Sequence, residues 1–163
     1  MGTENFSNIE NVTRKDAQIL SYPGLKLDHL VKMLYDFKYG KSCANPGLKP
    51  THLVMMVGLN DMELARMTNK QNISKIHSAA KLAFPGTKVS FCQVPMKKNL
   101  FQPELVTRID ELNEDIATYC NRHELNCIPR INKEDFEVQE NLIRHWTPPC
   151  GDKTIQHIFD HLN

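Results

Sequence analysis

The chain has 163 residues, 40% of them hydrophobic and 24% charged, which is the size and balance of one globular domain spanning 1–163 and unlike a disordered or fibrous chain. Twenty Lys and Arg against nineteen Asp and Glu leave a formal charge of +1, which argues against nucleic-acid binding and against attraction to anionic membranes. No apolar run reaches the ~18 residues of a membrane span, and five scattered cysteines without an apolar leader predict a reduced, intracellular (cytoplasmic) setting.

In chain order, short apolar runs alternate with longer stretches at helical spacing, the rhythm of parallel strands joined by crossover helices. Ala17 to Tyr22 predicts a strand closed by Pro23-Gly24. Leu27, Leu30, Val31, Leu34 and Phe37 then recur as one helix face, stopped by Gly40. Thr51 to Val57 is almost continuously apolar, as expected of a strand covered on both faces. After Gly58-Leu59-Asn60-Asp61, a helix is predicted from about Asn69 to Phe84 with Ile73, Ile76, Ala80 and Ala83 inward, ended by Pro85-Gly86. Lys88 to Val94 reads as the next strand. Pro103 opens a helix whose Leu105, Ile109, Leu112, Ile116 and Tyr119 alternate spacings of four and three. A short strand over Asn126 to Ile128 follows, then a last helix from about Asp152 to Leu162 begun by Gly151-Asp152.

In an open parallel sheet, ligands bind beyond the C-terminal ends of the strands, so the residues after each strand carry the functional reading. Gly24 and Gly58 are turn glycines whose N–H groups are exposed, Asn60 offers a side-chain amide, and His145 lies in the loop before the last helix. An N–H, an amide and a histidine are the parts of an oxyanion hole with a general base, and they suit acyl transfer. Each alone also reads as an ordinary turn, cap or loop residue.

Taken together and in this order, Ser21-Tyr22-Pro23-Gly24, Val57-Gly58-Leu59-Asn60 and His145-Trp146-Thr147-Pro148 resemble three of the four blocks of the SGNH (GDSL) hydrolase superfamily. The resemblance is nearest to the esterase-like domains of vertebrate retrotransposons and related mobile elements. It implies a three-layer α/β/α sandwich with a mostly parallel, flavodoxin-like sheet. It also implies Gly24 and Asn60 in the oxyanion hole, Gly58 in support, and His145 as general base. The implied ligand is a small acyl ester or lipid, with no cofactor and no metal. Self-association or a protein partner is the alternative use of the same surface.

The first block departs from the family pattern. Where the family has Gly-Asp-Ser, this chain reads Gly2-Thr3-Glu4, so Glu4 occupies the nucleophile position. The acid expected three residues before the histidine is replaced by Leu142, and Glu140 is a looser substitute. Without the serine there is no acyl-enzyme, and loss of such a nucleophile costs on the order of 10⁶ in turnover. Glu4 paired with His145 is expected to close the old site as an ion pair. The strand that should lead into this block would precede Gly2, so the central first strand is expected to be missing or truncated: the chain is a fragment of a longer product, a partner supplies the strand, or the remaining strands close the gap in an altered way.

Other residues read less specifically. Ser7 is the nearest hydroxyl to the lost serine but suits a helix cap, and Lys97-Lys98 suits a solvated loop. Cys120, His123 and Cys127 lack a fourth zinc ligand, while His157 and His161, one helical turn apart, fit a solvent-edge pair.

Overall fold

The computed structural model describes residues 2–3, 21–22, 26–38, 49–56, 69–96, 103–131 and 148–162. Five strands and four helices alternate through these: β1 (Gly2–Thr3), β2 (Ser21–Tyr22), α1 (Leu27–Lys38), β3 (His52–Met55), α2 (Asn69–Ala83), β4 (Lys88–Cys92), α3 (Pro103–Arg122), β5 (Asn126–Ile128) and α4 (Pro148–Asp160). Every strand pairing among them is parallel. Strand β4 lies between β3 and β5, with Leu53 opposite Val89 and Phe91 opposite Cys127. Strand β1 is present and short, and pairs with β2 as Gly2 with Ser21 and Thr3 with Tyr22.

Strand alternation divides the sheet into two faces. Leu53, Met55, Val89 and Phe91 pack into one cluster with α1, α2 and α3, whose Leu30, Leu34, Ile76 and Leu112 are fully buried. Their neighbours Met56, Cys92 and Ile128 point the other way, against Ile155 and Ile158 of α4. Two parallel crossovers in one direction along the sheet, of the same hand as the rule for such connections expects, put α2 and α3 on the same side. The result is three layers: three helices, the sheet, and α4.

Local chemistry sets the ends of the elements. The turn after α2 needs the left-handed conformation at Gly86 (φ 81°), which glycine adopts without steric cost. Thr87 then donates its hydroxyl to the Pro50 carbonyl at 2.7 Å, and the Lys88 amide donates to Thr51, which aligns the starts of β3 and β4. Helix α3 ends in paired bonds, Leu125 N–H to the Cys120 carbonyl at 2.9 Å and Glu124 N–H to Asn121 at 3.4 Å. This is a Schellman motif, with Glu124 (φ 55°) where glycine is usual.

The sequence places α4 too late. It begins at Pro148, not Asp152, because two prolines are acceptable in a first turn whose N–H groups have no helical partner. Gly151, read from sequence as a start signal, is instead a buried residue within the helix.

Candidate active site

The strand ends lead straight into the segments the sequence singles out. Thr3 is followed in the chain by Glu4, Tyr22 by Pro23-Gly24, and β3 by the segment carrying Gly58 and Asn60. Helix α4 opens three residues after His145. Glu4, Gly24, Gly58, Asn60 and His145 themselves lie outside the described residues, as do Ser7, Gly40, Lys97, Lys98, Glu140 and Leu142.

At the C-terminal edge of the sheet the described residues form a polar brace that sequence reasoning missed. Past the last paired residue of β4, Val94 has no strand partner among the described residues, and the buried Asn113 of α3 holds its amide and carbonyl. Its Oδ1 accepts from the Val94 amide at 2.7 Å and its Nδ2 donates to the Val94 carbonyl at 2.8 Å. Gln93 spans the same edge: its Nε2 donates to the Asn113 carbonyl at 2.9 Å, its Oε1 accepts from Arg130 N–H at 3.1 Å, and its own amide donates to Ile128. The Arg130 guanidinium, itself partly exposed, pairs with Asp110 at 2.8 Å. The ends of β4 and β5 are thereby fixed relative to α3, with the Gln93, Val94 and Arg130 amides and the Val94 and Asn113 carbonyls all paired. The available signal was Asn113 itself, a polar residue beside Leu112 on an otherwise apolar helix face.

The histidines set aside in the sequence have structural partners. His157 Nε2 donates to the Pro129 carbonyl at 2.6 Å and His161 Nδ1 donates to the His157 carbonyl at 2.8 Å, while Asn126 Nδ2 donates to the His161 carbonyl. The bonds to Pro129 and from Asn126 fasten the end of α4 to β5 and the residue after it. His77 bonds the Tyr119 hydroxyl at 2.8 Å, and the His123 ring stacks on Tyr119 with centroids 4.1 Å apart. Burial, then the charges of Lys81 and His123, hold His77 below the ordinary histidine value. Burial raises the Tyr119 phenol, against the hydrogen bond from Ser74. Cys120 and Cys127 hydrogen-bond each other. Among the described residues no group of three or more His, Cys, Asp or Glu is placed to hold a metal ion, and no helix is long and apolar enough to cross a membrane.

No protein-family model matches the sequence, and no curated protein matches it. Solved structures do match. A member of the lipolytic protein G-D-S-L family from Veillonella parvula superposes with a TM-score of 0.64 at 15% identity, over 99% of this chain and 96% of that one. The fold is that of an SGNH hydrolase. TesA matches the same fold with a TM-score of 0.59 at 17% identity, over 88% of this chain and 75% of its own. Est24, a carbohydrate acetylesterase from Sinorhizobium meliloti, gives 0.56 at 9% identity, over 98% and 97%. At these identities the likeness is one of SGNH-hydrolase architecture, and the chemistry of this chain has to be argued from its own residues.

Proposed function

We propose that this chain is an esterase-like domain of the kind carried by vertebrate retrotransposons and related mobile elements, retaining the SGNH-hydrolase fold but not ester hydrolysis. The observation that carries the reading is Glu4, the residue that follows β1 directly, where that fold's first sequence block supplies a serine. A carboxylate there lacks the hydroxyl that forms the acyl-enzyme and adds negative charge where an oxyanion would develop. Leu142, in place of the acid that orients the histidine, removes a second part of the relay. Gly24, Gly58, Asn60 and His145 remain as an oxyanion hole and base without a nucleophile. An ion pair between Glu4 and His145 would hold the imidazole protonated and unable to accept a proton.

In this reading the domain binds rather than cleaves: a small acyl ester or lipid in the former pocket, a second copy, or a protein partner. The reading keeps the reduced, intracellular setting that an odd number of scattered cysteines suggests in the sequence.

The test is restoration. The double variant Glu4→Ser with Leu142→Asp is expected to gain hydrolysis of a short-chain chromogenic ester, and the gain should vanish when His145→Ala is added. No gain in a folded double variant would overturn the esterase-derived site and favour a pure interaction module.

A further inference from the structure

The Schellman turn at the end of α3 brings two cysteines face to face. Leu125 N–H bonds the Cys120 carbonyl at 2.9 Å, so the chain doubles back beside Cys120 as β5 begins. Cys127 is two residues further along and therefore on the same side as Leu125. Both Leu125 and Cys127 pack against the cluster that contains Cys120. The two thiols are in hydrogen-bond contact. Cys120 is 1% exposed, whereas Cys127 is only half-buried and open to solvent. The third described thiol, Cys92, points to the opposite face of the sheet among Met56, Ile128 and Ile155.

We propose that Cys120 and Cys127 form a redox-active dithiol that closes to an intramolecular disulfide, with a small-molecule disulfide of the glutathione type as oxidant. The thiolate of Cys127 attacks one sulfur of the oxidant, forming a mixed disulfide and releasing one small thiolate, which takes up the proton Cys127 lost. Cys120 then gives up its proton and attacks the Cys127 sulfur, displacing the second small thiol. Two protons and two electrons pass from the pair to the oxidant, which leaves as two thiols.

The order of attack follows from the environments. The hydrogen bond from Cys120 lowers the Cys127 thiol, which raises its thiolate fraction, the reacting form. Cys120 is pushed up by its hydrogen bond to Cys127 and then by burial, against a backbone hydrogen bond from Phe91, and suits the second step, where its target is already adjacent. Burial pushes Cys92 up to about 12, so it stays a thiol. The finished bond ties the last turn of α3 to β5 across the turn that holds Glu124.

The experiment exposes the purified full chain to oxidised glutathione, blocks remaining thiols, and maps trypsin fragments by mass spectrometry. Trypsin cuts after Arg108, Arg122 and Arg130, so the bond appears as one species joining residues 109–122 to 123–130, lost on reduction. The same species is expected in Cys92→Ser. In Cys120→Ser, Cys127 should accumulate as a glutathione mixed disulfide, while in Cys127→Ser, Cys120 should stay unmodified. A stable mixed disulfide at Cys127 of the unaltered chain, or no modification of either residue, would overturn the proposal.

Discussion

The two faces of the sheet are held in different ways. On the wide face, α1, α2 and α3 bury Leu30, Leu34, Ile76 and Leu112 against Leu53, Met55, Val89 and Phe91. On the narrow face, among the described residues, α4 covers Met56, Cys92 and Ile128 with Ile155 and Ile158. It compensates with hydrogen bonds at its far end, from His157 to Pro129 and from Asn126 to His161. Hydrophobic burial scales with the apolar area removed from water, so the wide face sets the stability of the domain. The narrow face holds the helix that begins three residues after His145.

The largest expected effect tests that division. Leu112→Ala, at a position with no exposure, should cost about 2–5 kcal/mol of unfolding free energy, read from a denaturant midpoint. Ile158→Ala, 7% exposed on the narrow face, should cost about 2 kcal/mol, near the bottom of the same range. Equal losses would mean that α4 is as deeply built in as the other helices. Next comes the polar brace on the wide face. Asn113→Leu keeps the volume but strands the Val94 amide and carbonyl, and should cost about 1–3 kcal/mol for the unpaired groups. An unchanged midpoint would show that the brace is dispensable.

A smaller effect of opposite sign is expected at the end of α3. Glu124 holds a left-handed backbone at φ 55°, and Glu124→Gly should raise stability by about 0.5–1 kcal/mol as that strain is relieved. The smallest effect is a slope. His77 lies below the ordinary histidine value of about 6.5 because of burial, then Lys81 and His123. The unfolded chain therefore takes up this proton at higher pH than the folded one. The contribution to stability is complete above about pH 6.5 and is lost as pH falls from there through the folded value. His77→Gln, which retains a polar partner for Tyr119, should make that acid-side decline shallower in a midpoint-against-pH series.

Much of the scaffold was legible because each signal is local. Asn126 to Ile128 has the same bounds in sequence and structure, and Asn69, Lys88 and Pro103 open the elements they were read to open. Boundaries failed where the deciding partner is distant. The strand read to Val94 ends at Cys92 because Val94 bonds Asn113, 19 residues on, instead of a neighbouring strand. Helix α4 starts before Asp152 because Pro148 and Pro149 can occupy a first turn, whose N–H groups need no helical partner. The brace of Gln93, Asn113 and Arg130 spans up to 37 residues and has no periodicity to reveal it. The candidate catalytic residues stand the other way round: they are legible as motifs in the chain, and Glu4, Gly24, Gly58, Asn60 and His145 lie outside the described residues.

The central claim, that this SGNH-hydrolase fold no longer hydrolyses esters, is tested most directly by assaying the unaltered chain on a short-chain chromogenic ester beside His145→Ala. Equal rates at the uncatalysed background in both are the predicted result. Turnover in the unaltered chain that disappears in the variant would contradict it, and would mean that Glu4 or a water molecule serves in place of the serine.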